Sequence, residues 1–352
     1  MQICICRVSV EYVNLRDICK INMGQSPEST SYNSDKQGVP FYQGNADFGA
    51  LYPNPRIWCS KPIKLAKEND ILISVRAPVG ALNFSKEECC IGRGLAAITL
   101  DSNDFLLEFI YWSLRTGVKE LQSKSTGSTF KSINKKTLEE VRIPKISLKE
   151  QKDIIRNLTL LTNILAKYKH EIVFLDELVK ARFVEMFGEI EDCDKWESKI
   201  WNEVVTIKNG RDYKKVLVSD GGYPVVGTGG EIARASKYLC PENTIVVGRK
   251  GSINNPMLMK EKFWNVDTAF GVIPNSDYLH YQYFYYFCKF YNFMKLNKAT
   301  TLPSTTKADL LKIRINIPPL ELQNQFASFV QEIDKSRLLS NHSLFLIKSI
   351  TF

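Results

Sequence analysis

The sequence predicts an α+β chain built twice: two duplicated, β-rich α+β domains separated by two long helices that pair antiparallel as a coiled coil. Three observations carry this. The stretch from Ser147 to Gly188 holds one heptad pattern with no proline and no internal glycine, short apolar runs before and after it have strand character, and those runs recur in the same order in the second half. The expected layout is a first domain at 1–146, a central spacer helix at 147–188, a second domain at 189–318 and a short C-terminal spacer helix at 319–352.

In the first domain, Leu15 to Gly24 reads as a short helical turn running into a strand that ends at glycine. A polar loop follows, then Pro40-Phe-Tyr-Gln-Gly-Asn45, where the small residue allows a ligand to approach the backbone closely. Asp70 to Val75 is an apolar strand that ends at Arg76 beside a turn closed by Gly80. A second strand pair leads to an aromatic helix near Phe105 to Leu114, and Pro144 marks where the next helix can begin.

That helix places Leu158, Leu165, Ile172, Val179 and Met186 at one core position and Ile154, Leu161, Tyr168 and Leu175 at the other, with Gln151 and Arg182 breaking the seam. A pattern held for about five heptads argues for a helix that lays one stripe along a partner helix. At 1.5 Å per residue it is roughly 60 Å long. Leu158, Leu161, Leu165, Tyr168, Ile172, Leu175 and Val179 are its expected helix-packing and partner-facing residues.

The partner helix comes from the duplication. Val141 to Gln151 (VRIPKISLKEQ) returns as Ile315 to Gln325 (INIPPLELQNQ) at an offset of 174. Asn69 to Arg76 is echoed by Asn243 to Arg249, Ile91 to Ile98 by Val266 to Ile273 at 175, Phe105 to Leu114 by Tyr278 to Phe287 at 173, and Gly38 to Pro40 by Gly222 to Pro224 at 184. Trp201 to Gly210 repeats the opening turn and strand, and Pro224 to Gly229 repeats the small-residue stretch. Anchors in one order over this length mean a duplicated domain, not a solenoid unit. At the same offset the second long helix runs about ten residues short of the first, and its seam of Phe326, Phe329, Ile333, Leu344 and Ile347 is interrupted by Ser336, Arg337, Ser340 and Ser343.

Composition is that of a globular protein, 44% hydrophobic and 24% charged, with room for two ordinary cores. No apolar run approaches a membrane span and the first ten residues lack a signal-peptide core, so a cytoplasmic chain is expected. The nine cysteines form no C-x-x-C pair and no zinc spacing with the three histidines, which points to reduced, mostly buried thiols and no metal. His170, His280 and His342 sit singly in helical patterns, as surface or core residues do.

The net charge of +9 is carried by the domains: residues 1–146 have 19 Lys+Arg against 15 Asp+Glu and residues 189–318 have 18 against 14, while the two spacers are near neutral. Two moderately basic domains on a neutral rod fit a polyanion bound at two places, although this much charge also serves solubility.

Two stretches per domain have the chemistry of a nucleic-acid surface. Arg76, and Arg249 with Lys250, stand at the mouth of a strand beside a glycine turn, and Arg93 stands between Gly92 and Gly94 where the second domain has Thr268. Arginine is the commonest bidentate reader of guanine in the major groove. The hydroxyl- and lysine-rich loops before each spacer suit phosphate oxygens; their candidates are Ser128, Thr129, Lys131 and Lys135 in the first copy and Thr305 and Lys307 in the second. Ser132 and Asn134 read equally as helix caps.

Through YQGNADFG, DILISVRAPVG, IGRGLAAI, TGSTFKSINKKTLEEVRIPKISLKEQ and their second-half counterparts, the whole chain resembles the specificity (S) subunits of type I restriction-modification systems. The resemblance implies two target-recognition domains, each reading one half of a split double-stranded DNA sequence. It also implies paired helices that set the gap and dock two methyltransferase subunits, with restriction subunits joining through that complex. Gly227-Thr-Gly-Gly230 replaces the first copy's Gln-Gly-Asn, as expected if the halves read different sequences.

The alternatives are a catalytic DNA-modifying enzyme, a methyltransferase or nuclease, and a purely structural coiled-coil adaptor. A base-flipping adenine methyltransferase needs an Asn/Asp-Pro-Pro-aromatic pocket, yet the one Pro-Pro, Pro318-Pro319, follows Ile317 and opens the second spacer. No G-x-x-x-x-G-K-[ST] is present, and Glu197-Ser-Lys199 is a fragment that chance supplies, so no cofactor and no catalysis are expected. An adaptor leaves the duplicated basic domains without a role.

Overall fold

The computed structural model describes residues 10–125, 131–190, 195–299 and 301–351, with side chains described through Ser340. The chain forms two compact units, residues 1–166 with 347–352 and residues 167–346. The first long helix, Leu148–Phe187, therefore contributes its N-terminal part to one unit and its C-terminal part to the other.

Each unit is built round an antiparallel four-stranded sheet of one topology. In the first the order is Cys19–Met23, Leu95–Leu100, Ile71–Ser74, Leu82–Phe84; in the second it is Val205–Asn209, Ala269–Pro274, Thr244–Gly248, Met257–Met259. The apolar runs are strands buried on both faces, and the alternation of the pleat divides their side chains. Ile71 and Ile73 pack with Leu15 and the aromatic helix Leu107–Thr116, whereas Leu72 packs with Tyr42, Cys89 and Ile91 of a second sheet. Ile245 and Val247 likewise face the aromatic helix Tyr281–Phe290, and Val246 faces Cys240 and Phe263.

The second sheet differs between units. The first has five strands, the other four, and each holds one parallel pair, Phe41 beside Cys90 and Val225 beside Trp264. A two-stranded ribbon joins Tyr12–Asn14 to Arg142–Pro144, and another joins Ser198–Ile200 to Arg314–Asn316. The helical turns Leu15–Ile18 and Trp201–Val204 lead into the first sheet strands, as the sequence predicts.

The ribbons correct the register of the repeat. Ile143 and Ile315 are both fully buried and hold the same place in their ribbons, and the long helices start at Leu148 and Leu320, which is an offset of 172 and not 174. Pro144 thus corresponds to Asn316, and Gln151 to Gln323. Both glutamines are fully buried. Gln151 Oε1 accepts from Leu106 N at 2.8 Å and its Nε2 donates to Asp104 O and Ile146 O; Gln323 repeats this with His280 N, Tyr278 O and Pro318 O. Gln151 is consequently a clamp between the long helix and the aromatic helix's entry, not a break in the seam, and Ile154 is exposed while Ile155 packs on the core.

In the second unit the two long helices run antiparallel. Phe187 meets Phe326 at 5.5 Å between ring centroids, Arg182 lies over the Phe329 ring at 5.9 Å, and Asp176 pairs with Arg337 at 2.9 Å. Leu175 and Val179 are buried, while Leu158, Leu161, Leu165, Tyr168 and Ile172 are half-buried. Arg337, one of the polar residues interrupting the second seam, is partnered again: it also bonds Asp334, and Asp176 also takes Lys289. The charged layer substitutes for apolar knobs here.

The six described cysteines, Cys19, Cys59, Cys89, Cys90, Cys240 and Cys288, are buried and free, and Cys4, Cys6 and Cys193 lie outside the described residues. Burial pushes the Cys19, Cys89 and Cys240 thiols up to about 12. His280 caps the aromatic helix, its Nδ1 accepting from Gln282 N, and burial lowers its pKa.

Candidate nucleic-acid interface

In the first unit the strand that carries Arg76 continues past Ser74 and is bridged antiparallel to the loop before the long helix. Arg76 pairs with Ser132, Ala77 N donates to Lys131 O at 3.0 Å, and Ile133 N donates to Val75 O at 2.9 Å. Two stretches far apart in sequence therefore form one edge, with Arg76, Lys131 and Lys135 all exposed on it. Lys135 makes an ion pair with Glu139 at 3.6 Å, and Asn134 is the cap that the sequence allowed, accepting from Thr137 N. Ser128 and Thr129 lie outside the described residues.

Arg93 reaches the same region from another direction. Gly94 N donates to Gln43 O at 3.1 Å, and a Cβ on Gly94 would stand 2.4 Å from that oxygen; one on Gly92 would stand 2.9 Å from Gln43 Cα. Both glycines flanking Arg93 are thus required for its loop to lie against the Gln43–Gly44 backbone. The outcome is a cleft of about 200 Å³ lined by Gln43, Gly44, Asn45, Arg76, Arg93 and Gly94.

The second unit repeats the edge. Lys250 pairs with Ser304, Gly251 N donates to Pro303 O, and Thr305 N donates to Arg249 O. The pairing Ser74 with Leu95 against Gly248 with Ala269 makes Lys250 the counterpart of Arg76, Arg249 that of Val75, and Asp267 that of Arg93, one residue away from the equivalences the sequence motifs suggest. Asn69 and Asn243, both with left-handed φ (65° and 58°), confirm that register. Arg249 is exposed, sends Nη1 toward Asp267 O at 3.4 Å and lies 6.0 Å over the Phe270 ring.

A family model of the type I restriction modification DNA specificity domain matches residues 7–173 and again 193–347. The chain belongs to this family. Among relatives, a putative type I restriction enzyme MjaX specificity subunit of Methanocaldococcus jannaschii is 44% identical over 189 residues, 54% of this chain and 40% of the relative. The MjaIX specificity subunit of the same organism is 21% identical over 82% of this chain and 76% of its own length. The crystal structure of a type I restriction-modification system S subunit from M. genitalium superposes with a TM-score of 0.63 at 16% identity, over 98% of this chain and 95% of that one, and shares the fold.

Within the second specificity domain, one expected contact, Thr305, is turned inward, while Lys307 stays exposed. Thr305 is buried and donates to Gly248 O at 2.8 Å, and Lys307 Nζ donates to Ile207 O at 2.9 Å. These groups complete backbone hydrogen bonding at the end of the strand Thr244–Gly248 and along the edge strand Val205–Asn209, which an apolar side chain leaves open. The stretch matching Gln43–Asn45 is here the turn of a hairpin, Tyr223–Gly227 against Gly230–Ala235, with Gly227 opposite Gly230. Gly230 takes φ +113°, so that glycine serves the turn.

Sequence reasoning missed Asn45 and Gln43 as side chains, and Asp267 altogether. Only the crossing of three loops reveals them. The signal that was available is the pair Gly92 and Gly94, which demands a close backbone neighbour. Among the described residues no cluster of three or more His, Cys, Asp or Glu is placed to hold a metal ion, and no helix is long and apolar enough to cross a membrane.

Proposed function

We propose that the chain is the DNA sequence-recognition subunit of a type I restriction-modification complex, a non-catalytic cytoplasmic protein whose two domains each read one half of a bipartite duplex site. The observation that carries this reading is one edge built twice with different side chains: Arg76 and Arg93 in the first domain, Lys250, Arg249 and Asp267 in the second. The common edge sets the pose and the differing groups read different bases. Two methyltransferase subunits dock on the long helices, where Val173, Phe174, Leu338 and Leu339 are exposed apolar residues, and restriction subunits join through them. Comparing modified adenines in the host genome with and without this gene tests it: a bipartite methylation motif must vanish with the gene.

Divided readout follows. Arg76→Ala is expected to relax recognition in one half-site only, by about 1–3 kcal/mol for a bidentate base contact, and Lys250→Ala or Arg249→Ala in the other half only. Methylome sequencing of each variant reads this. Loss spread evenly over all sequences reassigns these groups to phosphate.

The helices also act as a ruler in this proposal. Four residues inserted near Lys167 to Lys169 add about 6 Å and nearly preserve helical phase. At about 3.4 Å per base pair, the unread gap is expected to lengthen by one or two base pairs with both half-sites unchanged, again by methylome sequencing. An unchanged gap at full activity means that the helices hold partners without measuring DNA.

A further inference from the structure

We infer that Gln43 and Asn45 are specificity-determining residues of the first domain, and that their carboxamides read the adenine of an A·T pair beside a guanine read by Arg76 or Arg93. This rests on the reading of the chain as a DNA-recognition subunit and names the bases that one of its surfaces recognises.

The chemistry of the cleft singles these residues out. Two carboxamides and two guanidiniums line one concavity. Among the described residues neither arginine forms an ion pair and the Asn45 side chain makes no hydrogen bond; Gln43 has one long contact, Nε2 to Ser26 Oγ at 3.5 Å. Their polar atoms are therefore free for a ligand. A phosphate offers acceptors alone, so the carboxamide oxygens would contribute nothing to it, and exposed lysines suited to phosphate, Lys131 and Lys135, lie instead on the neighbouring loop. A carboxamide offers one donor and one acceptor side by side, which matches adenine N7 and N6 in the major groove, as the guanidinium fork matches guanine N7 and O6.

The frame is held before any ligand arrives. Gly92 N donates to Tyr42 O at 2.8 Å, Gly94 N to Gln43 O at 3.1 Å and Gln25 N to Ile91 O at 3.0 Å, so three loops are tied at the backbone while the side chains of Gln43, Asn45 and Arg93 stay exposed or half-buried. Binding then orders side chains without reorganising loops, which favours discrimination. The second domain has the hairpin turn and Asp267 at the matching places, so this adenine contact belongs to one half-site.

The test uses the full chain in complex with its methyltransferase subunit and a duplex DNA library randomised across both half-sites. Gln43→Ala with Asn45→Ala is expected to lower the preference for A·T at one or two positions of a single half-site by about 5- to 150-fold each, leaving the other half-site unchanged. Gln43→Glu is expected to move the preference at its position toward cytosine, because a carboxylate accepts from cytosine N4. Variants that select the wild-type sequence, or that bind every sequence equally more weakly, overturn the inference and leave the recognition role standing. A wild-type complex that selects no bipartite sequence overturns both.

Discussion

Replacing Phe326 by alanine is expected to destabilise the second unit by about 3–5 kcal/mol, the range for deleting a fully buried phenyl ring. The ring is fully buried and lies 5.5 Å from each of Phe183, Phe187 and Tyr286 in largely edge-to-face contact. Three aromatic neighbours drawn from the first long helix and the aromatic helix cannot all close on the void, so the lost transfer energy and the cavity add. Chemical denaturation followed by Trp201 fluorescence reads the transition of this unit, since Trp201 is buried in the same core. A loss below about 1 kcal/mol, the scale of an ordinary surface change, shows that the ring is not packed as described.

Gln323→Ala is expected to cost the same unit about 3–5 kcal/mol by a different route. Its carboxamide satisfies His280 N, Tyr278 O and Pro318 O at 2.7 to 2.9 Å, and its removal orphans three backbone groups, each worth about 1–3 kcal/mol when buried, less whatever water recovers. Gln151→Ala is expected to act in the same way on the first unit through Leu106 N, Asp104 O and Ile146 O. Amide hydrogen exchange gives a local readout: His280 N–H must lose protection in one variant and Leu106 N–H in the other, and an unchanged rate contradicts the clamp. These glutamines tie each long helix to its domain, so exchange there also reports how firmly the candidate surface is held to the long helix.

What was legible in the sequence is what periodicity and local chemistry encode. The heptad run from Ser147 to Gly188 became the helix Leu148–Phe187, and the apolar runs at Ile71 and Ile245 became strands buried on both faces, because burying a stripe or a pleat requires those spacings whatever the partner. Duplication was legible for the same reason, since two copies of one fold need the same apolar residues in the same order.

Register and side-chain direction were not legible, because they depend on which strand or helix lies opposite. Two Ile-Pro dipeptides suggested an offset of 174, yet the buried residues that decide the alignment are Ile143 with Ile315 and Gln151 with Gln323. Thr305 looks like a phosphate ligand in sequence and is turned to Gly248 O at the end of a strand a long way off in the chain, while Lys307 stays exposed with its Nζ on Ile207 O. The candidate site itself is a crossing of loops near 43, 76 and 93, and no local spacing records that two glycines bring Arg93 against Gln43. The sequence alone determined two copies of one α+β domain and a long helix between them. Only the tertiary structure decided which side chains share a cleft, because that depends on backbone approaches between segments that are not neighbours in the chain.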